Sequence, residues 1–250
     1  ARCEFGNIRD KTLPGVGELL VGQISIKDLR DVNYQDLLGR AQVTLDEAGI
    51  LSYLKDKTVL VTGHTGFKGS WLSIWLKELG ARVIGYALDT NTERDNFVLS
   101  KLGQKMEDIR EDIRNISALE KAFDKYRPEL VFHLAAQPLV RLSYQIPRET
   151  FEINVMGALN VLECIRNHDS VTAGIIITSD KCYENKEQLW GYRENDTMGG
   201  HDPYSSSKGC VELLTASYRN SFMNPGDYKK HGKSIASVRA GNVVGGGDWA

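Results

Sequence analysis

From Thr58 onward, short apolar runs alternate with longer stretches in which apolar residues recur every third or fourth position. The runs at 58–62 (TVLVT), 82–88 (RVIGYAL), 129–134 (ELVFHL), 173–178 (AGIIIT) and 234–239 (SIASVR) are apolar almost throughout. A strand with one wet face alternates, whereas a continuous apolar run implies that both faces are covered. The intervening segments have helical spacing. Ser70 to Leu79 presents Trp71, Leu72, Trp75, Leu76 and Leu79 as an apolar face, and Ser117-Ala-Leu-Glu120 has the form of a capping box opening a helix that ends before Pro128. Longer helices are predicted over 149–167 and 204–222. Strand and helix alternating with short connections predict an α/β fold, a doubly wound parallel Rossmann sheet.

Residues 1–57 lack this alternation. Gly6, Pro14, Gly15, Gly17 and Gly22 interrupt short apolar pieces, 28–40 has room for one or two helical turns, and Asp46 to Leu54 predicts a brief helix leading into the first strand. The expected division is a linker over 1–57 and a dinucleotide-binding domain over 58–250. The chain begins without Met and stops at Trp249-Ala250, so it reads as a piece of a longer protein, with its C-terminal substrate domain largely missing.

Composition narrows the class. The 250 residues are 41% hydrophobic and 26% charged with a net charge of −2, a balance that suggests neither nucleic acid nor an anionic membrane as partner. No apolar run of about 18 residues occurs, and the N-terminus lacks a signal-peptide core. Cys3, Cys164, Cys182 and Cys210 are too scattered for a metal cluster, so no metal is expected, and reduced thiols in a cytoplasm are.

The first strand runs into glycines at 63, 66 and 69. At that spacing Gly63 turns the chain off the strand, Gly66 lets backbone N–H groups approach a pyrophosphate, and Gly69 lets the next helix pack close. Thr65, Phe67 and Lys68 belong to the same cofactor loop. Asp89 closes the second strand about 20 residues on, placed to accept hydrogen bonds from the adenosine ribose. Its charge favours NAD over NADP. Arg94, in the polar loop NTERDN, is the residue that would argue for NADP.

Tyr204 and Lys208 are spaced i, i+4, so a helix stacks them on one face. An ammonium beside a phenol lowers the phenol pKa from about 10 toward neutrality, suiting Tyr204 to take a hydroxyl proton. Lys208 can also hold the nicotinamide ribose. Ser179 ends the strand at 173–178, and the polar stretch Cys182 to Asp202 reads as an active-site loop. Asn242, on the turn after the last strand, can reach a sugar-nucleotide phosphate.

GxxGxxG at 63–69, the Asp112-Ile113 pair, HLAA at 133–136, Asn154 in NVMG and YxxxK at 204–208 together resemble the extended short-chain dehydrogenase/reductases over about 58–250. The resemblance implies that Asp112 and Ile113 border the adenine, that Leu134, Ala135 and Ala136 line the ribose and pyrophosphate, and that Gln137 and Asn154 face the substrate. It also implies a homodimer through the helices 149–167 and 204–222. The blocks TGHTGFKGSWL, HLAAQPLVRLSY, TSDKCYEN, WGYREND, DPYSSSKGCVE and SVRAGNVVGGGDWA resemble the sugar-nucleotide 4,6-dehydratases, in particular those acting on CDP-glucose. Relatives acting on dTDP-glucose place Thr-Asp-Glu where this chain has Ser179-Asp180-Lys181. The implied reaction is redox-neutral: Tyr204 deprotonates the C4 hydroxyl, Ser179 holds that oxygen, Lys181 removes the C5 proton and Asp180 protonates the departing C6 hydroxyl. A dehydratase of another nucleotide hexose, a UDP-hexose 4-epimerase and a non-catalytic NAD-binding fragment are the alternatives. The segment IRDKTLPGVGELLVGQISIKDLRDV resembles the linker of CapD-type polysaccharide-biosynthesis proteins.

Overall fold

The computed structural model describes residues 11–12, 30–31 and 43–248. It divides into two units, 1–47 and 48–250. In the first, Lys11–Thr12 and Arg30–Asp31 pair antiparallel. Arg30 and Asp31 are thus extended where a helical turn was expected, and the rest of 28–40 lies outside the described residues, as does Cys3. Helix α1 (Glu47–Leu54) sends Ile50 and Leu54 into the same cluster as Val59, Val61 and Leu76.

The second unit is built on six parallel strands: β1 (Thr58–Thr62), β2 (Arg82–Ala87), β3 (Glu107–Arg110), β4 (Leu130–His133), β5 (Ala173–Ile177) and β6 (Ser234–Val238). Their order across the sheet is β3-β2-β1-β4-β5-β6. The chain winds outward from β1 in one direction, then resumes at β4 in the other, which leaves a crevice at the carboxyl ends of β1 and β4. Alternate residues of β1 feed opposite layers: Leu60 joins Ile84, Phe123, Val131, Leu162 and Ile176 on one face, while Val59 and Val61 join Leu76, Val83 and Leu130 on the other. All of these are buried.

Five of these strands lie where the apolar runs placed them. The sixth, β3, reads EDIR and carries three charged residues of which none is buried. It occupies one edge of the sheet, and its charges are engaged by neighbours, Asp108 by His64 and Arg110 and Glu107 by Arg82, so it gives no apolar run.

Helix α2 (Phe67–Glu78) departs from its expected face. It starts before Ser70 and rests on the sheet through Gly69, Ser70, Ser73 and Leu76, leaving Trp71 and Trp75 47% and 46% exposed. The cause is close approach: a Cβ on Gly69 would lie 2.0 Å from the Gly63 carbonyl oxygen, so only small side chains fit that face. After α3 (Asn96–Leu99), helix α4 (Ile116–Tyr126) is capped by Asn115, whose side chain accepts from the Ala118 N–H, and not by Ser117. Helices α5 (Val140–Gln145) and α6 (Pro147–Phe151) lead through a π turn at Glu152–Met156 into α7 (Gly157–Asn167), so the expected 149–167 helix is continuous but locally underwound. Helix α8 (Pro203–Ser221) starts on Asp202, which accepts from the Ser205 N–H, with Pro203 at the first position. A short helix α9 (Tyr228–His231) precedes β6.

Candidate active site

The crevice is assembled from strand ends. The glycine turn follows β1, Asp89 follows β2, Leu134 to Ala136 follow β4, and Ser179 to Lys181 follow β5. Gly63 has φ +73 and packs against the run after β4: a Cβ there would sit 2.7 Å from the Ala135 nitrogen. Thr62 Oγ1 fastens this contact by accepting from the Leu134 and Ala135 N–H groups at 3.1 and 3.2 Å. Gly66 differs. A Cβ on it would meet only the Gly63 oxygen, at 3.4 Å, so the turn opens outward there, and no side chain caps the α2 N-terminus. Uncapped N–H groups at the positive end of a three-turn helix, with a bare glycine above them, fit the pyrophosphate of a dinucleotide.

Thr65 is expected in the cofactor loop, and Asp112 and Ile113 beside the adenine. Thr65 is buried and donates to the Leu88 carbonyl at 3.0 Å, tying the turn to the end of β2. Ile113 packs in the main core beneath Gly157, whose added Cβ would come within 2.6 Å of it, and Asp112 is held by Arg114 at 2.6 Å. Gln137 and Asn154, expected against substrate, are turned inward. Asn154 accepts from the Gln137 N–H at 2.8 Å and donates to Ser207 at 2.8 Å, while the Gln137 amide binds Thr150 and the Leu139 backbone. They are framework residues: the pair joins the chain after β4 to α8. Phe67 is half-buried with its ring against Gly245, and Lys68 and Asn242 are exposed.

At the far side of the crevice, Ser179 caps a single 3-10 turn, Asp180–Cys182. Its hydroxyl donates to Asp180 Oδ1 at 3.0 Å and accepts from the Lys181 N–H at 3.2 Å, and Lys181 Nζ lies 3.4 Å from the same carboxylate oxygen. Three candidate groups therefore converge on one another. Tyr204, in the first turn of α8, is 9% exposed. Burial raises its pKa, more than its hydrogen bond with Ser179 and the Lys181 charge lower it. The expected lowering by Lys208 is not what the geometry gives: the nearby cation is Lys181. Lys208 is itself buried, with one long hydrogen bond of 3.4 Å to the Ile177 carbonyl, and burial reinforced by the Lys68 charge lowers its pKa to about 8. An ammonium so poorly partnered fits ribose hydroxyls as its missing acceptors.

One carboxylate that the spacing argument passed over organises this side. Glu212 is one turn beyond Lys208, so Tyr204, Lys208 and Glu212 form an i, i+4, i+8 stripe on α8. Glu212 is buried and accepts from Thr178, from Ser237 at 2.7 Å and from Arg239 at 3.0 Å. Arg239 also donates to the Tyr183 hydroxyl at 2.7 Å and the Glu194 carbonyl at 2.8 Å, and Tyr183 stacks on Tyr192 at 5.1 Å. The loop between Cys182 and Asp202 is thereby pinned over a cavity of about 1350 Å³ beside Asp180 and Lys181. It is a half-open groove between that loop, α8 and β6, reaching the crevice only at Asp180 and Lys181.

Comparison with known proteins agrees with this geometry. Residues 60–225 match the GDP-mannose 4,6 dehydratase family. CDP-glucose 4,6-dehydratase of Salmonella typhimurium is 56% identical over 199 residues, covering 80% of this chain and 55% of that protein. The capsular polysaccharide biosynthesis protein CapD of Staphylococcus aureus is 25% identical over 248 residues, 97% of this chain and 37% of that one. Among solved structures, the UDP-glucose 4-epimerase of Thermus thermophilus in complex with NAD superposes with a TM-score of 0.60 at 27% identity, covering 73% of this chain and 54% of that one. The chain spans about half the length of the first of these relatives and less of the second. With its glycine turn, its Tyr204–Lys208 pair and the match running through both, this chain belongs to the GDP-mannose 4,6 dehydratase family.

Proposed function

We propose that the chain is the cofactor-binding and catalytic part of an NAD-dependent CDP-glucose 4,6-dehydratase, a hydro-lyase that makes a 4-keto-6-deoxy sugar nucleotide for polysaccharide or deoxysugar synthesis. The observation that carries this reading is the convergence of Ser179, Asp180 and Lys181 on one turn beside Tyr204, because an elimination needs an acid and a base beyond the group that handles the C4 hydroxyl. The identity of 56% to a CDP-glucose 4,6-dehydratase supports it.

The residues divide the work by position. Gly63, Gly66, Gly69 and the α2 N-terminus hold the NAD pyrophosphate, Asp89 holds the adenosine ribose and Lys208 the nicotinamide ribose. NAD, when bound, supplies a carbon that accepts a hydride and gives it back. Tyr204, as the phenolate that Ser179 and the Lys181 charge favour against the effect of burial, takes the C4 hydroxyl proton while Ser179 bonds that oxygen. Passing one proton from the Lys181 ammonium to the Asp180 carboxylate, 3.4 Å away, leaves an amine that removes the C5 proton and an acid that protonates the departing C6 hydroxyl. Asn242 and the pinned loop border the sugar nucleotide.

Assembly and compartment belong to the same reading. We infer a homodimer through the 149–167 and 204–222 helices, where Met156, Leu213 and Phe222 are exposed apolar residues. Cys164, Cys182 and Cys210 are free thiols, which fits the cytoplasm. No helix among the described residues is long and apolar enough to cross a membrane.

The deciding experiment incubates the protein with NAD and CDP-, dTDP-, UDP- or GDP-hexoses. A base-absorbing 4-keto-6-deoxy product from CDP-glucose is expected. A C4 epimer in its place would make the chain an epimerase.

A further inference from the structure

The end of the crevice that receives the adenosine ribose contains a second, oppositely charged group. We propose that Arg110 is a built-in receptor for a phosphate on the ribose 2′-oxygen, which Asp89 keeps masked. This inference rests on the dinucleotide reading above and adds to it the residue that sets the choice between the two dinucleotides.

Arg110 ends β3 directly beside Ala87 at the end of β2, and its Nη1 lies 3.6 Å from Asp89 Oδ1. That separation is longer than a good hydrogen bond, so Asp89 keeps its oxygens for ribose hydroxyls. Its side chain is 91% exposed, whereas that of Arg110 is 30% exposed. The guanidinium owes its place to other groups. Asp108 grips it at 2.8 Å through Nε and 2.9 Å through Nη2, the Leu88 carbonyl accepts from Nη1 at 3.2 Å, and the Phe97 ring lies 4.8 Å beneath it.

The grip extends back into the glycine turn. His64, fully buried, sits 2.8 Å from Asp108 through Nε2, and its ring packs on Gly85, where a Cβ would come within 2.3 Å. Turn, edge strand and guanidinium are thus one rigid unit, and Thr65 joins the same Leu88 carbonyl. Removing Asp89 therefore does not release Arg110. It exposes a fixed planar cation, with part of its five N–H donors unused, at the point where a 2′-phosphate would lie. Arg94, the residue that the sequence suggested for this role, is not needed for it.

Isothermal titration with NAD+ and NADP+, and with ADP and 2′,5′-ADP as probes of this end alone, tests the assignment. The wild-type chain should prefer NAD+. Asp89→Ala, a change at an exposed position that leaves the buried framework intact, should reverse the order, with NADP+ bound about tenfold more tightly than NAD+, the scale of one hydrogen-bonded charge pair. Adding Arg110→Gln to that variant should return the two to within about threefold. If Asp89→Ala only brings the affinities level, or if Arg110→Gln leaves the reversed preference in place, the proposal is overturned while NAD+ binding stands. Failure of the wild-type chain to bind either dinucleotide overturns the cofactor reading and this one with it.

Discussion

Removing the Glu212 carboxylate should be among the most damaging single changes outside the reacting groups. In Glu212→Ala the Arg239 guanidinium stays in place with no carboxylate opposite it, Ser237 loses its acceptor, and Thr178 keeps only a long contact of 3.4 Å to the Val238 carbonyl. The side chains of the pair are 20% and 4% exposed, so water compensates little. Breaking a buried ion pair by deleting one partner costs about 3–5 kcal/mol, most of it the stranded charge. The loss should appear in urea unfolding as a lower midpoint at unchanged slope. Glu212→Ala/Arg239→Met, which removes the stranded charge as well, should recover much of it. The gap between wild type and Glu212→Ala has a pH signature. Burial raises the Glu212 pKa, but Arg239, Thr178 and Ser237 lower it further, leaving a folded-state value below the ordinary carboxylate range. A depressed carboxylate contributes stability above its unfolded pKa, so the gap should hold at neutral pH and close only as pH falls through the folded value. A loss under about 1 kcal/mol at pH 7 would refute the reasoning, since that is the scale of an exposed pair.

Gly69→Ala should cost about 3 kcal/mol or prevent folding, because the new Cβ would stand 2.0 Å from backbone oxygen that cannot yield; a melting temperature within a degree of wild type would contradict this. Tyr204→Phe should lower product formation by about 10²- to 10⁴-fold and leave NAD+ affinity within about threefold, measured by single-turnover assay and calorimetry. Lys208→Met should change how stability depends on pH. The Lys208 pKa is lowered to about 8, so between pH 8 and the ordinary lysine range the unfolded chain binds the extra proton and wild-type stability rises with pH relative to the variant; parallel curves would show that the ammonium is not desolvated.

What the sequence determined by itself is what local chemistry dictates. The apolar run VLVT is covered on both faces, whereas GIII is covered fully on one only, with Ile175 and Ile177 half-buried; glycines at 63, 66 and 69 set the turn, and a helix through Tyr204 and Lys208 must stack them. Five strands, the crevice and its Tyr–Lys pair were therefore legible. The tertiary structure decided everything that depends on distant neighbours. The edge strand at Glu107–Arg110 is charged because Asp108 is engaged by His64, 44 residues away, and by Arg110. Trp71 and Trp75 face outward because the Gly63–Gly69 approach leaves no room for them beneath α2. Gln137 and Asn154, polar and near the crevice, turned inward to satisfy each other. Glu212 carried a sequence signal, its position one turn past Lys208, but its partner Arg239 lies 27 residues away, and His64 and Asp108 are 44 apart. Charges that meet across such separations are brought together by the order of the strands, and the pKa of Tyr204 follows from the burial that this order creates. Spacing places side chains on a face; only the packed sheet decides what that face meets.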